Sequence, residues 1–143
     1  MNLNYLEDQV LHQQLKGLVS SERKVLTKIL NHLREVERRK LFSDYGCSSL
    51  FAYAVKELGY SEGQVQRRIQ AMRMIKEIPE IEDKIQNGQL SLSNISQAQS
   101  LFNNLKKTEE KEPLNKKDKI KVLKQLENKS VRDGATLTLH SSH

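Results

Sequence analysis

One cysteine, Cys47, in 143 residues excludes an internal disulfide framework and a cysteine-rich zinc site. Two prolines and six glycines are too few turn formers for a sandwich or barrel. No stretch approaches the ~18 apolar residues of a membrane span. Glu7 and Asp8 stand where a secretory leader would be basic and then apolar, so the expectation is a cytoplasmic protein with no membrane partner. What the chain has instead is leucine, 20 of them against 16 valines and isoleucines together, a balance that favours helix. At this length a folded chain hides roughly 68–70% of its unfolded surface, enough for one core.

The net charge of +6 is unevenly spread. Residues 1–60 carry an excess of +2, residues 61–110 none, and residues 111–143 carry +4. A basic balance suggests a polyanion partner without fixing any sequence preference.

Apolar spacing divides the chain into helices. Leu6, Val10, Leu11, Leu15 and Leu18 mark a first helix from Asn4 to about Leu18. Ser20 or Ser21 then caps a second, near Ser21 to Lys40, with Val25, Leu26, Ile29, Leu30, Leu33 and Val36 on one stripe. The pair reads as a long helical hairpin, and the second helix is suited to pair with the first or with a second copy of itself. After a break at Phe42–Gly46, Ser48 or Ser49 caps a short helix, Leu50 to Leu58, with Phe51, Ala54, Val55 and Leu58 inward. Gly59 suits the left-handed position that ends it. Ser61 opens a helix from Glu62 to Ile78 whose inner face holds Val65, Ile69, Met72 and Ile75. Pro79 begins another, through Gln86, which Gly88 terminates. Ser91 or Ser93 caps the next, with Ile95, Ala98, Leu101, Phe102 and Leu105 spaced for burial. The expected organisation is a helical domain over 1–107, a charged linker over 108–118, and a short helix with a flexible basic tail over 119–143. Within that tail Ala135–Leu139 alternates like a lone strand, expected to be frayed.

The run SSLFAYAVKELGYSEGQVQRRIQAMRMI, within about 48–78, has the layout of a helix-turn-helix: short helix, glycine-containing turn, longer helix. Such a unit needs small or apolar residues where its helices cross, here Ala54, Val55 and Leu58. It also needs polar side chains at the start of the second helix, because that end enters the major groove. Those are Ser61, Glu62, Gln66, Arg67 and Gln70, with Gly63 allowing close backbone approach. Arg can take guanine O6/N7 and Gln adenine N6/N7, each worth ~1–3 kcal/mol of discrimination. Arg68, Arg73 and Lys76 would hold phosphates or support packing. The plainer alternative is a solvated face in which Arg67 and Arg68 pair with Glu62 or Glu77. Val55 is also bulkier than the alanine or glycine of the tightest crossings.

The second half of LGYSEGQVQRRIQAMRMIKEIPEIEDKIQNGQLSLSNISQAQSL is similar to the helical DNA-binding region of ParB-type partition proteins. The stretch from about Lys24 to Leu105, with HLREVERRKLFSDYGCSSLFAYAVKELGYSEGQVQRRIQ, more closely resembles the N-terminal helical region that precedes the nuclease in bacterial HNH-endonuclease proteins. KIKVLKQLENKSVRD resembles the connector that follows there. The resemblance implies an all-α, multi-helix bundle containing a helix-turn-helix-like unit that works beside DNA.

An HNH site needs a histidine base and metal-binding His, Asp or Asn residues, and the chain stops at His143, where such a domain would only be starting. His140 and His143 lack acidic or cysteine companions, and His12 and His32 stand alone in helices. No Gly-rich phosphate loop, Ser/His/Asp set or Cys/His cluster appears. Neither catalysis, cofactor nor metal is therefore expected. Two further basic clusters, Arg34/Arg38/Arg39/Lys40 and Lys116/Lys117/Lys119/Lys121/Lys124, suit phosphate contact, helix-dipole stabilisation or solubility. The expected function is a non-catalytic module that binds duplex DNA. The alternative is a homodimeric interaction module that serves a nuclease or other nucleic-acid enzyme, for example a CRISPR effector, as accessory, activator or inhibitor.

Overall fold

The computed structural model describes residues 1–107, 114–130 and Gly134, the side chains of Lys106 and Lys107 excepted. Among these residues it is all-helical: α1 (Asp8–Arg39), a single 3-10 turn (Leu41–Tyr45), α2 (Leu50–Lys56), α3 (Glu62–Glu77), α4 (Ile81–Gln86), α5 (Leu92–Lys107) and α6 (Lys116–Leu126). The expected strand at Ala135–Leu139, His140, His143 and most of the charged linker lie outside the described residues.

The expected N-terminal hairpin is instead one continuous helix. α1 runs unbroken for 32 residues, about 48 Å at ~1.5 Å per residue. Serine in a helix interior costs at most about 0.7 kcal/mol relative to alanine, so Ser20 and Ser21 cannot stop a helix unless the chain has cause to turn. Neither proline nor a left-handed glycine stands near them to supply one. The helix ends at Lys40, which takes the left-handed conformation at φ 53° and donates its backbone N–H to the carbonyls of Glu37 and Val36.

The core is one cluster with α3 at its centre. Val65, Ile69, Ala71, Met72, Met74 and Ile75 of α3 are all buried. They meet Leu30 and Leu33 of α1, Leu50 and Ala54 of α2, Ile81 and Ile85 of α4, and Ile95, Ala98 and Phe102 of α5. α6 belongs to the same core through Val122, Leu123 and Leu126, and it starts at Lys116, three residues before the expected short helix. Asn115 opens it by accepting the Asp118 backbone N–H at 2.8 Å.

Two buried polar side chains are satisfied. Asn94 donates to the Lys129 carbonyl at 3.0 Å and accepts from the Ser91 backbone and hydroxyl, which ties the start of α5 to the end of α6. The Thr27 hydroxyl lies 2.9 Å from the Lys24 carbonyl and 3.2 Å from Gln86 Oε1, so it joins α1 to α4. α2 departs from expectation in what it buries. Leu50 and Ala54 face the core, whereas Phe51 and Leu58 are exposed and Val55 is only half-buried. A helix of seven residues presents two full positions to its neighbour, and here those are the first and the fifth.

Candidate nucleic-acid interface

The connection from α2 to α3 is built by local chemistry. Ser49 caps α2 by accepting the Ala52 N–H at 3.0 Å. Gly59 sits at φ 74°, and the Tyr60 N–H reaches back to the Ala54 carbonyl at 3.3 Å, the closure that a left-handed residue permits. Because α2 ends at Lys56, the connection is five residues long, where three were expected. Ser61 then starts α3 with a reciprocal pair: its hydroxyl accepts the Gln64 N–H at 3.2 Å, and the Gln64 side chain accepts the Ser61 N–H at 2.9 Å. The backbone N–H groups of Glu62 and Gly63 lie between these two bonds at the dipole-positive end of a 16-residue helix.

Helical spacing separates the sequence-derived residues into two sets. Glu62, Gln66, Gln70 and Arg73 recur at successive turns on one side of α3, and Gly63 and Arg67 lie next to them. Ser61, Glu62, Gly63, Gln66 and Arg73 are exposed, while Arg67 and Gln70 are half-buried. Arg68 points elsewhere. Its guanidinium lies over the Tyr60 ring, 4.6 Å from the centroid, and its Nη1 donates to the Gln64 carbonyl at 3.2 Å. Its Nε is buried without a partner. Arg68 therefore acts in packing. Arg73 is solvent-facing but engaged, donating to Glu37 of α1 at 3.1 Å.

Beside this row lies a groove of about 600 Å³ that sequence reasoning did not foresee. Gln66, Gln70 and Arg73 form one wall, Lys40 and Glu37 another, and Phe51 part of the rim. It exists because α1, the 3-10 turn, α2 and α3 converge there. Gln70 Oε1, which faces no hydrogen-bond partner, belongs to this wall.

The flanking basic clusters are partly neutralised. Glu35 accepts from both Arg38, at 2.5 Å, and Arg39, at 2.6 Å, three and four residues further along the helix. The Arg38 hydrogen bond, and then that of Arg39, hold the Glu35 carboxyl at about 2, and the Arg38 guanidinium is pushed up in return. Lys116 pairs with Glu80 and Lys119 with Glu77 at 2.8 Å. Lys117, Lys121 and Lys124 stay exposed along one side of α6. Among the described residues no group of three or more His, Cys, Asp and Glu could hold a metal ion, and no helix is long and apolar enough to cross a membrane. Cys47 is buried.

Compared with family models, with curated proteins and with solved structures, the chain matches none.

Proposed function

We propose that this chain is a non-catalytic helical module that binds duplex DNA through the start of α3, as the resemblance to the region ahead of HNH nucleases implies. The observation that carries the reading is the row of exposed Glu62 and Gln66 with half-buried Arg67 beside them, at a helix N-terminus closed by a capping box. These side chains combine amide and guanidinium groups with the reach to meet base edges in a major groove. Ser61, Gly63 and the free backbone N–H groups beside them suit a phosphate, and Lys40 and Lys76 add cationic flanks. Gln70 and Arg73 extend the surface into the groove beside α3.

The test is a gel shift on duplex and single-stranded DNA. The wild-type chain is expected to retard duplex DNA, and Gln66→Ala to relax the base preference without abolishing binding. Equal retardation of every sequence by both proteins would contradict base reading by Gln66. The alternative, a homodimeric interaction module serving a nuclease, draws its support from another part of the chain, the bare apolar stripe of α1.

A further inference from the structure

Among the described residues, only the C-terminal half of α1 contributes to the core. Its buried residues are Thr27, Leu30 and Leu33, whereas residues 8 to 18 are exposed on every side. That leaves an arm of roughly three turns projecting from the bundle. Helices shorter than ~12–15 residues are marginal in water even with favourable composition, and this arm contains Gly17 and no alanine. It nonetheless carries an ordered apolar stripe. Leu11, Leu15, Leu18 and Val25 are 41%, 58%, 67% and 52% exposed, at spacings of four, three and seven residues. This is the alternation of a heptad seam, apolar except at Glu22, the position between Leu18 and Val25. Ile29 continues it into the half-buried region where α1 joins the core, so the seam is continuous with the folded body.

Charge along the arm indicates what covers the seam. Its tip is acidic, with Glu7 and Asp8, and its root is net basic, with Arg23, Lys24 and Lys28 against Glu22. A second copy laid parallel would set tip against tip and root against root. Laid antiparallel, each acidic tip meets a basic root, and the two helix dipoles oppose favourably. The midpoint between Asp8 and Lys28 is Leu18, the most exposed residue of the stripe. A two-fold axis there would stack Leu18 on its own copy and set Leu11 against Val25 of the other chain. A surface complementary to itself about one axis is the requirement for a closed dimer.

We infer that the N-terminal half of α1 is a self-pairing surface, in which two copies of the chain pack antiparallel through Leu11, Leu15, Leu18 and Val25. This stands apart from DNA reading, since mass and duplex binding are separate readouts. Sedimentation of the full chain is expected to give twice the 16.5 kDa monomer mass. Leu18→Glu should return it to the monomer while the body keeps its helical content by circular dichroism, because Leu18 is 67% exposed. In a Cys47→Ser background, Leu18→Cys should crosslink to itself under oxidation and Leu11→Cys should not. A monomeric wild-type chain at all concentrations, or a dimer untouched by Leu18→Glu, would overturn self-pairing. Equal crosslinking through both cysteines would overturn the antiparallel arrangement.

Discussion

Arg68 stacks on Tyr60, eight residues before it and ahead of the α3 cap, with 4.6 Å between guanidinium carbon and ring centroid. Two adjacent arginines on α3 therefore have different work. Arg68→Ala should lower stability by about 0.5–2 kcal/mol, the range for cation–π contacts from exposed to desolvated, and should leave DNA affinity comparatively unchanged. Arg67→Ala should do the reverse. Thermal melting beside duplex binding separates them, and a large stability loss at Arg67 with none at Arg68 would invert the assignment.

Gly59 holds a left-handed conformation at φ 74°, with nothing within 4 Å of where a Cβ would stand. Gly59→Ala therefore adds strain without collision, and a loss of about 1–2 kcal/mol in urea unfolding is expected. A neutral result would mean that the α2–α3 connection does not depend on this geometry.

Gly63 differs, because a Cβ there would lie 3.5 Å from Arg67 Nη1, an ordinary contact. Gly63→Ala should stabilise the fold by up to about 0.5–1 kcal/mol through helix propensity. The same methyl would stand between the backbone and an approaching phosphate, so duplex affinity should fall. Higher affinity along with higher stability would argue against close approach at this position.

Glu35 is held at about 2 against an ordinary 4.5, first by its hydrogen bond from Arg38 and then by that from Arg39. A depressed carboxylate stabilises the fold fully above its unfolded value and loses that contribution as the pH drops. The support it gives the end of α1 should therefore fade between about 4.5 and about 2. Glu35→Gln should flatten the pH dependence of melting in that window. The effect should be small, because the ion pairs are exposed.

The local rules were legible in the residues themselves. Gly59 in a left-handed turn, Ser61 as a cap, Gly88 as a terminator and the buried set Val65, Ile69, Met72 and Ile75 all follow from short-range chemistry, and the structure has each of them. Ser20 and Ser21 mislead because a capping preference is not a signal to stop, and the cost of serine inside a helix is too small to break α1. Phe51 departs from the expected inward face because apolar periodicity does not tell which side of a seven-residue helix its neighbour will cover, and Leu58 because α2 ends at Lys56, short of the expected Leu58. The groove beside α3 and the Arg73–Glu37 pair join residues 36 positions apart, a relation that no local pattern encodes. Arg68 could have been suspected from the aromatic residue preceding the Ser61 cap.

Fluorescence anisotropy of a labelled duplex across a salt series, for wild type and Arg67→Ala, tests the DNA reading most directly. Wild-type affinity is expected to fall about 10³-fold between about 50 and 200 mM salt if roughly six phosphates are engaged. Arg67→Ala should weaken binding by about 5- to 150-fold at every salt concentration, equivalent to ~1–3 kcal/mol. Wild-type binding that ignores salt, or an Arg67→Ala chain that binds as the wild type does, would contradict it.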